Sequence, residues 1–227
     1  MAVFDRLKTL LSRQGPWTAA VKLYVLTVDR LFDVVYGLET CAWSDPLELT
    51  VTGGNKERGN SYQPTRVVPL RKLLKATCPL FPADSVLLDL GCGKGRVLFV
   101  AAPFGFKAVK GVEFAHELCT IARKNIASFQ AKSKARPEFH IVEADVTDYP
   151  IGKEENVFFM FNPFDETILE KVLCNISTSL QAHPRPIWII YHHPKCREAI
   201  EKRSHFSHLK DLSFWGYNFT IYSNSVS

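Results

Sequence analysis

Hydrophobic positions along the chain follow two different periods, and the switch between them lays out the elements. Between residues 3 and 40 apolar side chains recur at helical spacing, broken near "RQGPW" by Gly15 and Pro16, which predicts one or two amphipathic helices. Residues 39–66 are rich in turn formers and read as a linking loop, with one short strand around Leu47–Thr52. "PLRKLLKAT" returns to helical spacing and "PLFPADS" ends it. Strand and helix then alternate: "SVLLDLG" to "GRVLFVAAPF", and "AVKGVEF" to "AHELCTIARKNIASFQAK". "EFHIVEAD" follows, then "NVFFMFNPF" to "DETILEKVLCNISTSLQA", and "PIWIIYHHP" to the short helix "KCREAIEKR". "FSHLKDLSFW" and "NFTIYSN" close the chain as a hairpin. Apolar strands separated by helices predict an α/β fold with a mostly parallel sheet covered on both faces. Trp188 and Trp215 are placed in its core, and Asp165 at the start of a helix.

Composition narrows the class. At 227 residues and 46% hydrophobic, the chain suits one domain with an N-terminal elaboration and excludes wholesale disorder. The net charge of +5 comes from basic residues scattered among acidic ones, so no stripe argues for nucleic acid. Six dispersed cysteines without a CxxC pair fit a reducing cytoplasm, not a disulfide scaffold. The first 17 residues lack the unbroken apolar core of a signal peptide. The apolar stretch 19–38 is interrupted by Lys22, Asp29, Arg30 and Asp33, whereas a bilayer span takes about 20 mostly apolar residues, so no transmembrane segment is expected.

The chemistry gathers at "VLLDLGCGKGR". A strand, a glycine turn and a helix are the layout by which α/β proteins hold a nucleotide. A triphosphate loop of the GxxxxGK[ST] type is excluded, because Gly95 follows Lys94 where a hydroxyl residue is required. A dinucleotide loop fits poorly, since Arg96 stands at its third glycine. The pattern present is Asp89, Gly91, Gly93, Gly95.

"LLDLGCGKGR" resembles the first motif of the class I methyltransferases that use S-adenosyl-L-methionine (SAM). The resemblance covers roughly residues 60–225 and implies a Rossmann-like, seven-stranded sheet with a C-terminal antiparallel hairpin. Its glycines, with Cys92 among them, would let the backbone approach the cofactor, and Asp89 would put negative charge near the methionyl ammonium. By the same resemblance Glu113, 24 residues on and beside Phe114, would accept from the ribose hydroxyls. Asp145 would accept from the adenine amine, with Val146 packing on the ring.

For the reacting end, "FFMFNPFDE" resembles the (N/D)PP(Y/F) motif of N-methyltransferases with one proline missing. Carried over, Asn162 would orient the acceptor amine and also contact the cofactor beside its sulfonium, next to Pro163, and Phe164 would form a wall. "NSYQPTR" resembles the Y-x-P-T segment before the core of a subset of bacterial proteins. It also resembles that of protein-lysine methyltransferases related to the telomeric-silencing histone enzyme and to those acting on the ATP synthase rotor. There it folds over the cofactor, which would set Tyr62 and Thr65 at SAM or the acceptor channel. Phe161, Phe164 and Tyr62 would desolvate a lysine acceptor and lower its pKa. His192, His193, His205 and His208 have no partners at zinc-ligand spacing. His192 and His193 are expected to be satisfied structural histidines, although the fifth strand ends where either can face the acceptor.

The sequence therefore reads as a helical N-terminal extension and linking loop, residues 1–58, before a methyltransferase domain, residues 59–227. The expected acceptor is a protein lysine, then a small-molecule amine, with nucleic acid below both. A non-catalytic SAM-binding module and a NAD-linked oxidoreductase are the rivals.

Overall fold

The structure is a computed structural model that describes residues 15–42, 49–52, 63–161 and 165–225. Tyr62, Asn162, Pro163 and Phe164 lie outside these residues, as do Leu47 and Glu48 of the strand expected around Leu47–Thr52; its described part forms one isolated bridge, Val51 with Ala115.

Helix α1 (Pro16–Tyr36) starts directly after Gly15, where Pro16 suits a first helical turn, and ends at Gly37 with φ 67°. Helix α2 (Val67–Thr77) leads into β1 (Val86–Leu90). Next come α3 (Arg96–Ala101), β2 (Ala108–Glu113), α4 (His116–Lys132), β3 (Glu138–Glu143) and β4 (Glu155–Met160). The chain continues as α5 (Glu166–Ala182), β5 (Trp188–His192), α6 (Arg197–Glu201), β6 (Ser207–Phe214) and β7 (Tyr217–Ser223). Asp165 caps α5 by accepting from the Ile168 N–H at 3.0 Å.

The seven strands form one sheet in the order β3-β2-β1-β4-β5-β7-β6. The first five are parallel and β7 runs antiparallel between β5 and β6. Every residue of β1 is buried, as a central strand covered on both faces requires. One face packs Leu70, Leu73, Phe99 and Phe129 of α2, α3 and α4, together with Phe32 of α1. The other packs Leu169, Val172 and Ile176 of α5 against Leu88, Phe158 and Tyr191. Because β1 to β5 are parallel, their C-terminal ends meet at one edge, where open α/β sheets bind ligands.

Helix α1 buries Ala19, Val25 and Phe32 as an amphipathic helix does, but Asp29 and Asp33, one turn apart, are buried with them, while Trp17, Leu31, Val34 and Val35 face water. The reason is Arg96, whose guanidinium is buried beneath them and reaches Asp29 at 3.3 Å and Asp33 at 3.4 Å. Its Nε donates to Thr40 Oγ1 at 2.6 Å, and Asp29 also holds Arg66 at 2.9 Å and the Val67 N–H. Trp215 is not in the core. It sits with Gly216 in the two-residue turn between β6 and β7 at φ 55°, which directs its ring away from the sheet, and it is 44% exposed.

Candidate active site

The loop after β1 turns only because Gly91, Gly93 and Gly95 adopt φ of 84°, 53° and 84°, a region costly for any side chain. Four of its amides are already committed. Gly91 and Cys92 N–H both donate to Val112 O, Gly93 N–H to Glu113 Oε2 at 2.9 Å, and Gly95 N–H to Cys92 O. A pyrophosphate is held by free loop amides at a helix N-terminus. Here the four amides of Gly91, Cys92, Gly93 and Gly95 bond within the protein and two carboxylates, Asp89 and Glu113, stand beside them, so the loop suits a cationic ligand better than a phosphate. That chemistry fits SAM, with its ammonium and sulfonium, and not a dinucleotide.

A close packing contact sets the loop's distance from β2. A Cβ at Gly111 would lie 2.4 Å from Cys92 Sγ and 2.6 Å from its Cβ, so glycine at 111 makes room for Cys92. From beneath, the Lys94 ammonium donates to Glu39 Oε1 and Ala42 O, both at 3.1 Å, and Asn125 donates to Lys94 O. The chain after α1 thus braces the loop from below.

The three acids predicted to hold cofactor stand at successive strands. Asp89 lies in β1 opposite Gly111, Glu113 ends β2, and Asp145 follows β3 by two residues. Burial, with the Glu113 charge second, pushes the Asp89 carboxyl well above its ordinary value. Burial also raises Glu113, against three backbone N–H donors, those of Ala115, Gly93 and Phe114. A carboxylate has about four acceptor positions, so three backbone donors leave Glu113 about one for a ribose hydroxyl. Asp145 Oδ1 accepts from the N–H and hydroxyl of Thr147, closing a turn that carries half-buried Val146. The Cys92 thiol is buried and raised well above its usual range, so it packs and does not react.

A cavity of about 280 Å³ opens at the ends of β4 and β5 on the same edge, lined by the rings of Phe161, His192, His193 and Tyr217 and by Gln63, Pro64, Arg66 and Lys195. Thr65 is buried between two of these residues. His192 lies between rings, with centroids 4.0 Å from Phe161 and 4.3 Å from Phe219. The expectation of a satisfied structural histidine is corrected here: neither ring nitrogen of buried His192 has a hydrogen-bond partner. Burial first, and His193 second, bring its pKa down to about 3, so it stays neutral and open to a bond from a group in the cavity. His193 has φ 48°, held there as its N–H donates to Asn218 O at 2.8 Å.

Sequence reasoning missed Arg66, Lys195 and Tyr217 at the cavity, and Arg96 beneath the loop. Tyr217 was within reach, since it opens the last strand beside the end of β5. Arg96 was read only as a missing glycine.

Among curated proteins none matches the sequence. Residues 87–182 match a family described as a methyltransferase domain. A Pyrococcus horikoshii protein assigned provisionally as an RNA methyltransferase superimposes with a TM-score of 0.53 at 20% identity, over 80% of this chain and 96% of its own. The ribosomal protein L11 methylase of Lactobacillus delbrueckii subsp. bulgaricus gives 0.52 at 16% identity, over 76% and 80%. The magnesium protoporphyrin IX methyltransferase of Synechocystis PCC 6803, with SAM bound, gives 0.50 at 12% identity, over 73% and 87%. These likenesses are of fold.

Proposed function

We propose that this SAM-dependent methyltransferase of the class I fold transfers its methyl group to nitrogen, and that the acceptor is the side-chain amine of a protein lysine. The observation that carries this reading is the character of the cavity: its lining holds four rings, those of Phe161, His192, His193 and Tyr217, and its charged residues are the cations Arg66 and Lys195. Only an unprotonated amine has the lone pair the reaction uses. Partial burial among rings and a neighbouring cation both lower an amine's pKa; Arg66 is answered by Asp29, so the cation is Lys195. His193 reports that environment, because burial and then Lys195 lower its own pKa.

SAM supplies, when bound, a methyl group activated by its sulfonium. The protein's part is alignment and exclusion of water. Asp89 would face the cofactor's ammonium, Glu113 the ribose, Asp145 the adenine amine, with Cys92, Phe114, Val146 and Thr65 around them. The amine lone pair forms the new N–C bond as the S–C bond breaks, and the proton leaves to water afterwards. Asn162, one residue beyond cavity-lining Phe161, would accept from the amine, flanked by Pro163, Phe164 and Tyr62. His192, neutral at any physiological pH, would bond the acceptor without acting as a base. All six cysteines are free, which fits a reducing compartment such as the cytoplasm.

The test is transfer of labelled methyl from SAM into a source-cell lysate fractionated into protein, nucleic acid and small molecules, with Tyr217→Ala and Asn162→Ala alongside. Label should enter protein lysines and fall about 100-fold in both variants, with SAM affinity kept. Label confined to small molecules or RNA would overturn the lysine acceptor. SAM binding without any transfer would overturn the nitrogen-transfer reading itself.

A further inference from the structure

Helix α1 leaves an unusual face in water. At about 100° per residue, Trp17, Leu23, Tyr24, Leu31, Val34 and Val35 fall within one arc of about 120°, with Ala20 and Thr27 completing it. All are exposed, Trp17 by 75% and Val34 by 74%, and no charged residue interrupts the arc. Helix α1 runs 21 residues, so the strip is about 30 Å long. An apolar strip of that length is far outside the scattered exposed leucines of an ordinary surface.

Among the described residues, the exposed charges of α1 and α2 that border the strip are of one sign. Exposed Arg30 borders it on one side. On the other, exposed Arg71 lies over the Phe32 ring at 5.3 Å, and exposed Lys72 over the Trp215 ring at 5.1 Å. Trp215 meets Tyr24 edge-on at 6.3 Å, so the hairpin turn belongs to the same face. Lys75 extends the basic margin along α2. Neither helix has an exposed acidic side chain, because Asp29 and Asp33 are turned inward and α2 contains no acid.

We propose that this face docks onto an anionic lipid bilayer surface, with α1 lying in the interface plane. A charge-free apolar arc bordered by cations, with aromatic rings at its edge, is the pattern of a helix that sinks its apolar side below the headgroups and pairs its margins with lipid phosphates. A second copy of the chain fits less well: a two-fold contact would bring Arg30, Arg71 and Lys72 against their own copies with no acid in either helix to answer them. An RNA would meet the cations and leave the apolar arc in water. Among the described residues no helix is long and apolar enough to cross a membrane, so the contact is made from one side. This inference stands apart from the methyl acceptor.

The experiment is co-sedimentation of the full chain with phosphatidylcholine vesicles, with and without phosphatidylserine. The chain should partition onto the serine-lipid vesicles and come off as salt is raised. Leu31→Asp with Val34→Asp should lower partitioning more than about tenfold. Arg30→Glu and Lys72→Glu should each lower it about fivefold. All four positions are exposed, so melting temperatures should hold and exclude misfolding as the cause. Absence of binding to either vesicle would overturn the proposal. So would equal binding by the Leu31→Asp, Val34→Asp variant, or a dimer in solution that this variant dissolves while vesicles bind neither form.

Discussion

Replacing Arg96 with methionine tests the link between α1 and the cofactor loop. The substitution keeps most of the side chain's length and removes its charge, leaving Asp29 and Asp33 buried without the cation between them. Breaking a buried ion pair from one side costs about 3–5 kcal/mol, since the remaining charge stays out of water uncompensated. For 227 residues the unfolding entropy near the midpoint is about 0.5 kcal/mol per kelvin, so the melting temperature should fall by about 6–10 °C. Arg96 directly follows Gly95 and begins α3, so SAM affinity should weaken as well.

The same geometry makes a sharper demand. In an Asp29→Asn, Asp33→Asn background there is less charge to strand, so Arg96→Met should cost less by roughly 1–3 kcal/mol. Thermal and urea unfolding of the single, double and triple variants measures that coupling. A loss below about 1 kcal/mol for Arg96→Met, or full additivity with the Asn pair, would refute the claim that the network is a buried unit.

Three further outcomes follow from the site. Asp89 is raised by burial and by Glu113, so its charged form costs the native state stability from about pH 3.9 upward. Asp89→Asn should therefore raise the cofactor-free melting temperature at pH 7 while abolishing SAM binding by calorimetry, and a lowered melting temperature would contradict this. Gly111→Ala should cost about 1–3 kcal/mol by overpacking against Cys92. Cys92→Ala should not rescue it, because the Cβ clash remains, whereas Cys92→Gly should. His192 has a folded pKa near 3 against 6.5 unfolded, so its stabilising neutrality is complete above pH 6.5 and is lost as pH falls toward 3. Between pH 6.5 and 5.5 the loss is about 1 kcal/mol, and His192→Phe should flatten the unfolding free energy across that interval.

The alternating part of the fold was legible because its signal is local. "SVLLDLG" is bounded by turn residues and buried on both faces, and the positive φ of Gly91, Gly93 and Gly95 is what glycine at alternate positions encodes. The Asp165 cap was readable for the same reason. What could not be read depends on partners far away in the chain. Arg96 meets Asp29 and Asp33 across more than sixty residues, so the aspartates read only as breaks in an apolar stretch and Arg96 only as a missing glycine. Trp215 looked like core until its turn conformation was known, and His192 needed the rings of Phe161 and Phe219 around it to show that nothing bonds its nitrogens. The cavity draws on residues from 63 to 217, a juxtaposition only the sheet order provides.

The two inward carboxylates of α1 explain why these features occur together. Two inward carboxylates on a helix are costly unless something behind them is strongly basic, and Arg96 and Arg66 supply that from the start of α3 and of α2. The inner face holds Asp29 and Asp33 beside Ala19, Val25 and Phe32, and the remaining apolar residues take the outer face. The same substitution pattern that ties α1 to the glycine loop therefore produces the exposed strip. The two properties are separable by experiment: charge reversal at Arg30 or Lys72 should leave the loop and SAM affinity intact, whereas Arg96→Met should loosen the loop and leave the strip's composition unchanged. If α1 were instead an ordinary amphipathic helix docked loosely on the domain, Arg96→Met would be nearly silent, and Leu31→Asp would destabilise the fold as a core substitution does.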